Sequence, residues 1–322
     1  MPELFGAIDL GGTNLRSIVA SLDANIRGDD LRPSRADEGL DVCLGEIEAS
    51  LRQACSQAGI EPGQLRAVGI CSPGWVDAVE GVVPAAPQLK GWRNVPIVRI
   101  LGERFGTRVI LENDANAGAL GENAFGAGRG SRQMVYITVS TGVGGGIITD
   151  GRLYGGARGS AGEIGHTVID PAGPLCGCGN HGCLEALSSG TAIAARGVEA
   201  EARGESERLT RLKEQGERIT AAAVATAAEG GDLVCREIYA EAGRFLGIAL
   251  ANVVNLLSPE VIVVGGGVTK AAPLFMPQAE NTMRALALSE PLKHVRLALS
   301  ELGDSIGVLG MIARLRQDAK PE

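Results

Sequence analysis

Residues 4–22 read LFGAIDLGGTNLRSIVASL. Residues 4–9 have the composition of a buried strand, Leu10 to Asn14 of a turn, and residues 15–22 of the returning strand. The predicted hairpin carries Asp9 at the end of its first strand and Gly11 and Gly12 at its tip. Glycines at a tip let backbone N–H groups approach a phosphate, and a carboxylate beside them can hold a hydrated Mg²⁺. An ordinary glycine-rich hairpin gives the same pattern. The plan recurs at residues 134–149: MVYITVS, then Thr141-Gly142-Val143-Gly144-Gly145-Gly146, then an apolar strand at 147–149. This is not a dinucleotide fingerprint, because the third glycine would fall at Ile147 and a strand follows instead of a helix. Two such hairpins suggest two related halves, each presenting glycines to a shared ligand.

The rest of the chain alternates strands and helices. Leu40, Leu44, Ile47, Leu51, Ala54 and Ala58 have helical spacing, so 38–58 reads as a helix ending at Gly59. A strand at 66–71 runs into Ser72-Pro73-Gly74, and two β-prone pieces follow at 75–79 and 81–83. A short helix at 95–105 precedes a strand at 108–112, which ends in Asn113-Asp114 and opens a helix at 115–125. A carboxylate at a strand end that also starts a helix is favoured in its ionised form by the helix dipole, and in open α/β sheets it points into a cleft. Asp114 could equally be a plain N-cap. Further on, helices are expected at 186–196, 220–229 and 232–257, the last ended by Pro259. The charged run 198–217 between them reads as a solvated face. A strand at 260–264 leads into Gly265-Gly266-Gly267, which can seat a flat ring or simply turn tightly. A helix at 273–288, a strand at 295–299 and a closing helix at 304–316 complete the chain. The alternation implies an α/β fold with sheets covered by helices.

Composition bounds the function. At 322 residues with 45% hydrophobic and 21% charged side chains, the chain suits a globular protein of about two domains. Net charge is −8 and no long basic tract occurs, which argues against a nucleic-acid surface. No apolar run of about 18 residues and no signal-peptide pattern is evident, so neither a membrane span nor export is expected. Seven cysteines, an odd number, favour a reducing cytoplasm over a disulfide framework.

Residues 163–185, EIGHTVIDPAGPLCGCGNHGCLE, gather three of those cysteines, two of the three histidines and a glutamate at each end. Thiolates at Cys176, Cys178 and Cys183 with the imidazole of His166 are the donor set that tetrahedral Zn²⁺ prefers. Reduced cysteines that merely lie close together would give the same spacing. His181 reads as part of an exposed turn, and Cys43, Cys55, Cys71 and Cys235 as small buried apolar side chains.

Together the motifs closely resemble the ROK family of sugar kinases and repressors. The resemblance runs from Ala7-Ile8-Asp9-Leu10-Gly11-Gly12-Thr13 to Pro259–Gly267 and is most specific at Glu163–His166 and Cys176–Glu185. It implies a duplicated ribonuclease H-like, actin/hexokinase-like fold: residues 1–115 with 300–322 as a smaller α/β domain, 116–299 as a larger one carrying the loop 163–185, and a cleft between them. It implies ATP-dependent phosphorylation of a hexose at the 6-hydroxyl, with Mg²⁺ and a structural Zn²⁺. Asp114 matches the catalytic base. Gly74, Asn113, Asp114, Glu163, His166 and Glu185 match the sugar site. Asp9, Gly11, Gly12, Thr13 and Asn14, with Thr141, Gly142 and Gly144, match the phosphate turns, and Gly265, Gly266 and Gly267 the adenosine side. His166, Cys176, Cys178 and Cys183 match the zinc ligands. Asn14 stands where many members have lysine. A homodimer or homotetramer is implied as well.

A winged-helix repressor of this family carries its DNA-binding domain ahead of the first glycine turn, and only eight residues precede Asp9. A kinase is therefore expected over a repressor, and the presence of both Asp9 and Asp114 argues against a sugar-binding protein without catalysis. The run from Glu112 to Gly130 looks most like bacterial glucokinases. N-acetylhexosamine and fructose kinases share most of the motifs and remain alternatives.

Overall fold

The computed structural model describes residues 3–157 and 159–319. In chain order, the hairpin strands β1 (Phe5–Leu10) and β2 (Asn14–Ala20) are followed by β3 (Ile26–Pro33), α1 (Leu40–Ala58) and β4 (Val68–Ser72). A small antiparallel sheet of β5 (Trp75–Asp77), β6 (Val82–Ala85) and β7 (Arg93–Val95) comes next. Then come α2 (Ile97–Phe105), β8 (Val109–Asn113) and α3 (Asp114–Phe125). The first large sheet has the order β3-β2-β1-β4-β8. Its hairpin is antiparallel, and β4 and β8 run parallel to β1, with Asp9 beside Cys71 and Ser72 beside Asn113.

The second half opens with β9 (Met134–Val139), β10 (Val143–Thr149) and β11 (Arg152–Leu153). The helices α4 (Leu184–Ser188), α5 (Gly190–Ala202), α6 (Glu207–Glu214), α7 (Ala221–Glu229) and α8 (Leu233–Leu257) follow. The chain closes with β12 (Val261–Gly265), α9 (Ala272–Leu286), α10 (Ser289–Leu292), β13 (Arg296–Leu299) and α11 (Ile306–Ala319). The second large sheet has the order β11-β10-β9-β12-β13, with β12 parallel to β9 and β13.

By contacts the chain divides into two compact units. The first holds residues 1–132, 146–162 and 301–322, and the second 133–145 and 163–300. The first unit thus takes in α3, which the sequence reading assigned to the second domain. The reason is packing: α3 lies along α11, so closely that a Cβ on Gly310 would fall 1.9 Å from the Ala117 carbonyl oxygen. In this unit Ile8, Leu15, Ile47, Leu51, Ile70 and Leu101 pack into one core, while Ala7, Ile18, Cys71, Val308 and Met311 form another on the sheet's opposite face. Alternation along β1 feeds both, as expected for a strand covered on two sides.

The strand β3 was not legible as such. IRGDDLRP is charged, and it holds its place as an edge strand through its antiparallel ladder with β2 and the salt bridges of Arg16 with Asp29 and Arg32 with Glu46 of α1. Gly144, Gly145 and Gly146, read as turn residues, lie inside β10. The helix expected at 186–196 is two helices, broken where extended Ser189 caps α5 by accepting a hydrogen bond from Ala192 N. α8 is long and apolar enough to cross a membrane by length and composition, although Arg236, Glu237, Glu241 and Arg244 interrupt it and leave no unbroken apolar run of about 18 residues. It is a core helix of the second unit, and Tyr239, Phe245, Leu246, Leu250 and Val254 are buried along it.

Candidate active site

Parallel strands deliver their C-terminal ends to one edge of a sheet, and in open α/β sheets that edge carries the chemistry. In the first sheet, β1, β4 and β8 bring Asp9, the Cys71–Gly74 segment and Asn113-Asp114 to this edge. Asn113, not Asp114, is the N-cap of α3. Its Oδ1 accepts from Ala115 N at 2.9 Å and Asn116 N at 3.2 Å. Its Nδ2 donates to the Gly74 carbonyl at 3.2 Å, which joins the loop after β4 to the start of α3. Gly74 has φ +85° and its missing Cβ would meet Ala85 O at 2.5 Å, so the position admits only glycine without rearrangement. Asp114 is exposed as the first helical residue, with Oδ1 accepting from Ala115 N at 2.8 Å. A carboxylate there sits in the positive field of the helix N-terminus.

Asp9 is held from three sides. The Cys71 thiol lies 3.4 Å from its Oδ1. The start of α11 lies against it, where a Cβ on Gly307 would fall 2.3 Å from the Asp9 Cγ. Arg16 stands opposite Asp9 across the hairpin and is tied to Asp29 and Ser305. Burial pushes the Asp9 carboxyl up from its ordinary range, and the Cys71 hydrogen bond and the Arg16 charge pull it back. The first glycine turn is closed by Gly11 N donating to Asn14 O at 2.9 Å, and Gly12, Thr13 and Asn14 are exposed. An exposed turn beside a carboxylate suits a phosphate with its hydrated Mg²⁺.

In the second unit, the turn after β9 is fixed from the helix side, a feature the sequence did not disclose. Gly190 N donates to Ser140 O at 2.7 Å, and the Thr191 hydroxyl donates to Thr141 O at 2.8 Å. From the loop side, Glu185 Oε2 accepts from Val143 N at 3.0 Å. A Cβ on Gly142 would lie 2.4 Å from that same oxygen. Gly265 neighbours Thr138 in register, so the 265–267 glycines share an edge with this turn. Gly266 has φ +92°.

The loop 163–185 brings its four donors together. The ligand atoms of His166, Cys176, Cys178 and Cys183 all lie within 4.8 Å of one another. Cys176 Sγ is 3.6 Å from His166 Nδ1, and Cys178 Sγ is 3.6 Å from Cys183 Sγ. Tetrahedral ligation with metal–sulfur bonds of about 2.3 Å puts sulfurs about 3.8 Å apart, so the donors fit a zinc-sized ion. The loop is backbone-clamped at Cys176 N to Asn180 O, 2.7 Å, and at Leu184 N to Thr167 O, 3.0 Å. His181 is exposed, with Nδ1 3.1 Å from Gly173 O, outside the cluster. His166 offers Nδ1 to the cluster, which leaves Nε2 available for a second partner. Glu163 is exposed three residues before it.

The sequence matches the ROK family over residues 5–318. The chain belongs to the ROK family. Glucokinase of Thermotoga maritima is 34% identical over 98% of this chain and 99% of its own. The xylose repressor of Caldicellulosiruptor bescii is 32% identical, over 97% of this chain and 77% of its own. The crystal structure of a ROK glucokinase from Streptomyces griseus, in complex with glucose and AMPPNP, superposes with TM-score 0.82 at 33% identity, covering 98% of this chain and 99% of that one. The two sheets of this ROK protein therefore form the actin/hexokinase-like fold. Missed in the sequence were Glu112 and Glu122, both buried. Glu112 Oε1 accepts from Asn113 N and Asn116 Nδ2, each at 3.0 Å. Glu122 accepts from Ala127 N at 2.8 Å and from Glu301 N at 3.2 Å. Their signal was a glutamate inside an otherwise small-residue segment, ENDANAGALGE.

Proposed function

We propose that this ROK protein is an ATP-dependent hexose kinase that phosphorylates the 6-hydroxyl of glucose. The observation that carries the reading is at the end of β8: Asn113 takes the capping role, and the Asp114 carboxylate stands exposed beside it. Kinship with glucokinases at about one-third identity supports the choice of glucose.

Phosphoryl transfer asks the protein mainly for positioning and charge. Asp114 accepts the hydroxyl proton as the sugar oxygen attacks phosphorus. Asn113, Glu163, His166 and Glu185 pair with sugar hydroxyls, and the backbone at Gly74 closes over them. Carboxylates and an amide suit this task because they hydrogen-bond hydroxyls and are left unpaired by analogues lacking them. The turns Gly11–Asn14 and Thr141–Gly144 give N–H donors to the phosphates without a competing charge, and Gly265–Gly267 seat the adenosine. Asp9 would hold Mg²⁺, which when bound neutralises charge on the phosphates. His166, Cys176, Cys178 and Cys183 would hold a structural zinc. Four protein ligands leave no open position for water activation, so its contribution is to fix the loop bearing Glu163, His166 and Glu185.

A coupled ADP-release assay across glucose, mannose, fructose, N-acetylglucosamine and N-acetylmannosamine tests the reading. Glucose is expected to give the highest kcat/KM. A preference for an acetamido sugar would reassign the substrate, and no response to any of the five would overturn the kinase. Light scattering is expected to give a dimer or tetramer.

A further inference from the structure

We infer that Cys71 is a positioning residue for Asp9, its thiol fixing the orientation of the carboxylate that would hold Mg²⁺. The inference rests on the kinase reading given above. Cys71 is the next-to-last residue of β4, one strand over from Asp9 and in register with it, and is fully buried. Its Sγ is 3.4 Å from Asp9 Oδ1 and 3.6 Å from the Ile8 carbonyl oxygen. Of these two acceptors the carboxylate is the nearer and the more strongly accepting, since charge-assisted hydrogen bonds exceed neutral ones. Cys71 otherwise belongs to a buried apolar cluster that includes Ala7, Ile18, Ala117, Val308 and Met311.

A carboxylate torsion is intrinsically broad, with no deep well to hold it. At Asp9 one limit on that rotation is steric, from the α11 backbone at Gly307. The thiol adds a directional limit by engaging Oδ1, while Oδ2 is the oxygen nearer Gly307, so the carboxylate is oriented from both sides. Carboxylates that bind metals are held in this way by hydrogen-bonding partners, and losing such a partner typically costs about 10–100-fold in metal affinity or activity. A thiol is a weak donor, which places Cys71 at the lower end of that range.

The test compares Cys71→Ala and Cys71→Ser in the full-length protein. Alanine removes the donor. Serine keeps a donor but puts a hydroxyl into an apolar pocket. If Cys71 orients Asp9, Cys71→Ala raises the Mg²⁺ concentration for half-maximal turnover by about tenfold with KM for glucose unchanged, and Cys71→Ser recovers most of the loss. The affinity for Mn²⁺ with ADP, read by calorimetry, moves in the same order. If Cys71 only fills space, serine is no better than alanine, and that result overturns the proposal. So does a Mg²⁺ requirement in Cys71→Ala within about twofold of the parent. An infrared arm avoids both substitutions. The difference spectrum between the parent protein and Asp9→Asn is expected to contain an S–H stretching band shifted by loss of the charged acceptor. A difference spectrum without any S–H feature also overturns the proposal. Absence of hexose phosphorylation in the parent would fail the kinase reading while leaving the infrared result to stand on its own.

Discussion

The two large sheets share one plan and divide the labour. Each has an edge strand, a hairpin with a glycine turn, and then parallel strands: β3-β2-β1-β4-β8 in one, β11-β10-β9-β12-β13 in the other. The first ends its strands in charge, with Asp9 as the next-to-last residue of β1 and Asp114 directly after β8. The second ends them in Ser140-Thr141, Gly265–Gly267 and Leu299, without a carboxylate. Its acidic residues come instead from the loop 163–185, through Glu163 and Glu185. Both buried carboxylates among the described residues, Glu112 and Glu122, also belong to the first unit. Duplicating a fold thus duplicates the backbone cradle but not the chemistry. On the kinase reading proposed above, proton transfer and Mg²⁺ binding would fall to the first sheet, and the sugar would be shared between Asn113 there and the loop beside the second.

The largest effect should come from the first sheet. Asp114→Ala is expected to lower kcat by about 10²–10⁴-fold, the usual contribution of a general base, while glucose binding by calorimetry persists. A kcat near that of the parent would remove the division of labour at its root. In the second unit the matching test is Cys178→Ser. It should lose bound zinc by elemental analysis and raise KM for glucose by about 10–100-fold with a smaller change in kcat. Zinc retained, or zinc lost with KM intact, would separate the metal from sugar recognition.

Both units also spend a glycine to seat a carboxylate. Gly307 makes room for Asp9 and Gly142 for Glu185, with an added Cβ reaching 2.3 Å and 2.4 Å from the respective carboxylates. The two sites differ in what can yield. Asp9 is enclosed by Cys71, the hairpin and α11, whereas Glu185 is a longer side chain that can swing. Gly307→Ala is therefore expected to lower the melting free energy by about 1–3 kcal/mol, as overpacked sites do, and to raise the Mg²⁺ requirement. Gly142→Ala should cost less stability and act on substrate affinity, by breaking the Glu185–Val143 hydrogen bond, worth about 1 kcal/mol. Equal effects in calorimetry would show that the two cradles are equally rigid.

Much of this was legible in the sequence, and the parts that were not have physical reasons. The first hairpin, α1 with its cap at Gly59 and the gathering of His166 with Cys176, Cys178 and Cys183 announced themselves, because turn glycines and clustered thiols have few other uses. The strand β3 did not, because its pattern is charge, and what seats it, the ladder with β2 and ion pairs to β2 and α1, is recorded by no local period. The domain boundary did not follow from the motifs either, since the packing of α3 on α11 joins residues nearly 200 positions apart. Asp114 was ambiguous in sequence because Asn and Asp cap equally well, and only geometry separates them. The clip from Gly190 and Thr191 to the second turn was hidden for the same reason: backbone carbonyls choose their partners in three dimensions.

The smallest effect sharpens the contrast between the sheets electrostatically. Burial raises the Glu112 carboxyl from its ordinary value, with the hydrogen bonds from Asn116 and Asn113 and the Arg314 charge opposing. A group whose folded pKa is raised binds its proton more tightly when folded. Its favourable contribution is therefore complete below the unfolded value, about 4.3, and is lost as pH rises through the folded one. Glu112→Gln keeps an Oε1 acceptor for Asn113 N and Asn116 Nδ2 and gives up only the 3.6 Å approach of Arg314. Replacing a buried charge by a neutral isostere that keeps its hydrogen bonds is often close to neutral, so stability at pH 7 should stay within about 1 kcal/mol of the parent. What should change is the slope. The fall in denaturation midpoint on raising pH from the ordinary glutamate range toward neutrality should be shallower in Glu112→Gln than in the parent. A parent and variant with superimposable pH profiles would mean that Arg314 compensates the buried charge fully, and that the first sheet bears no electrostatic cost for its carboxylates.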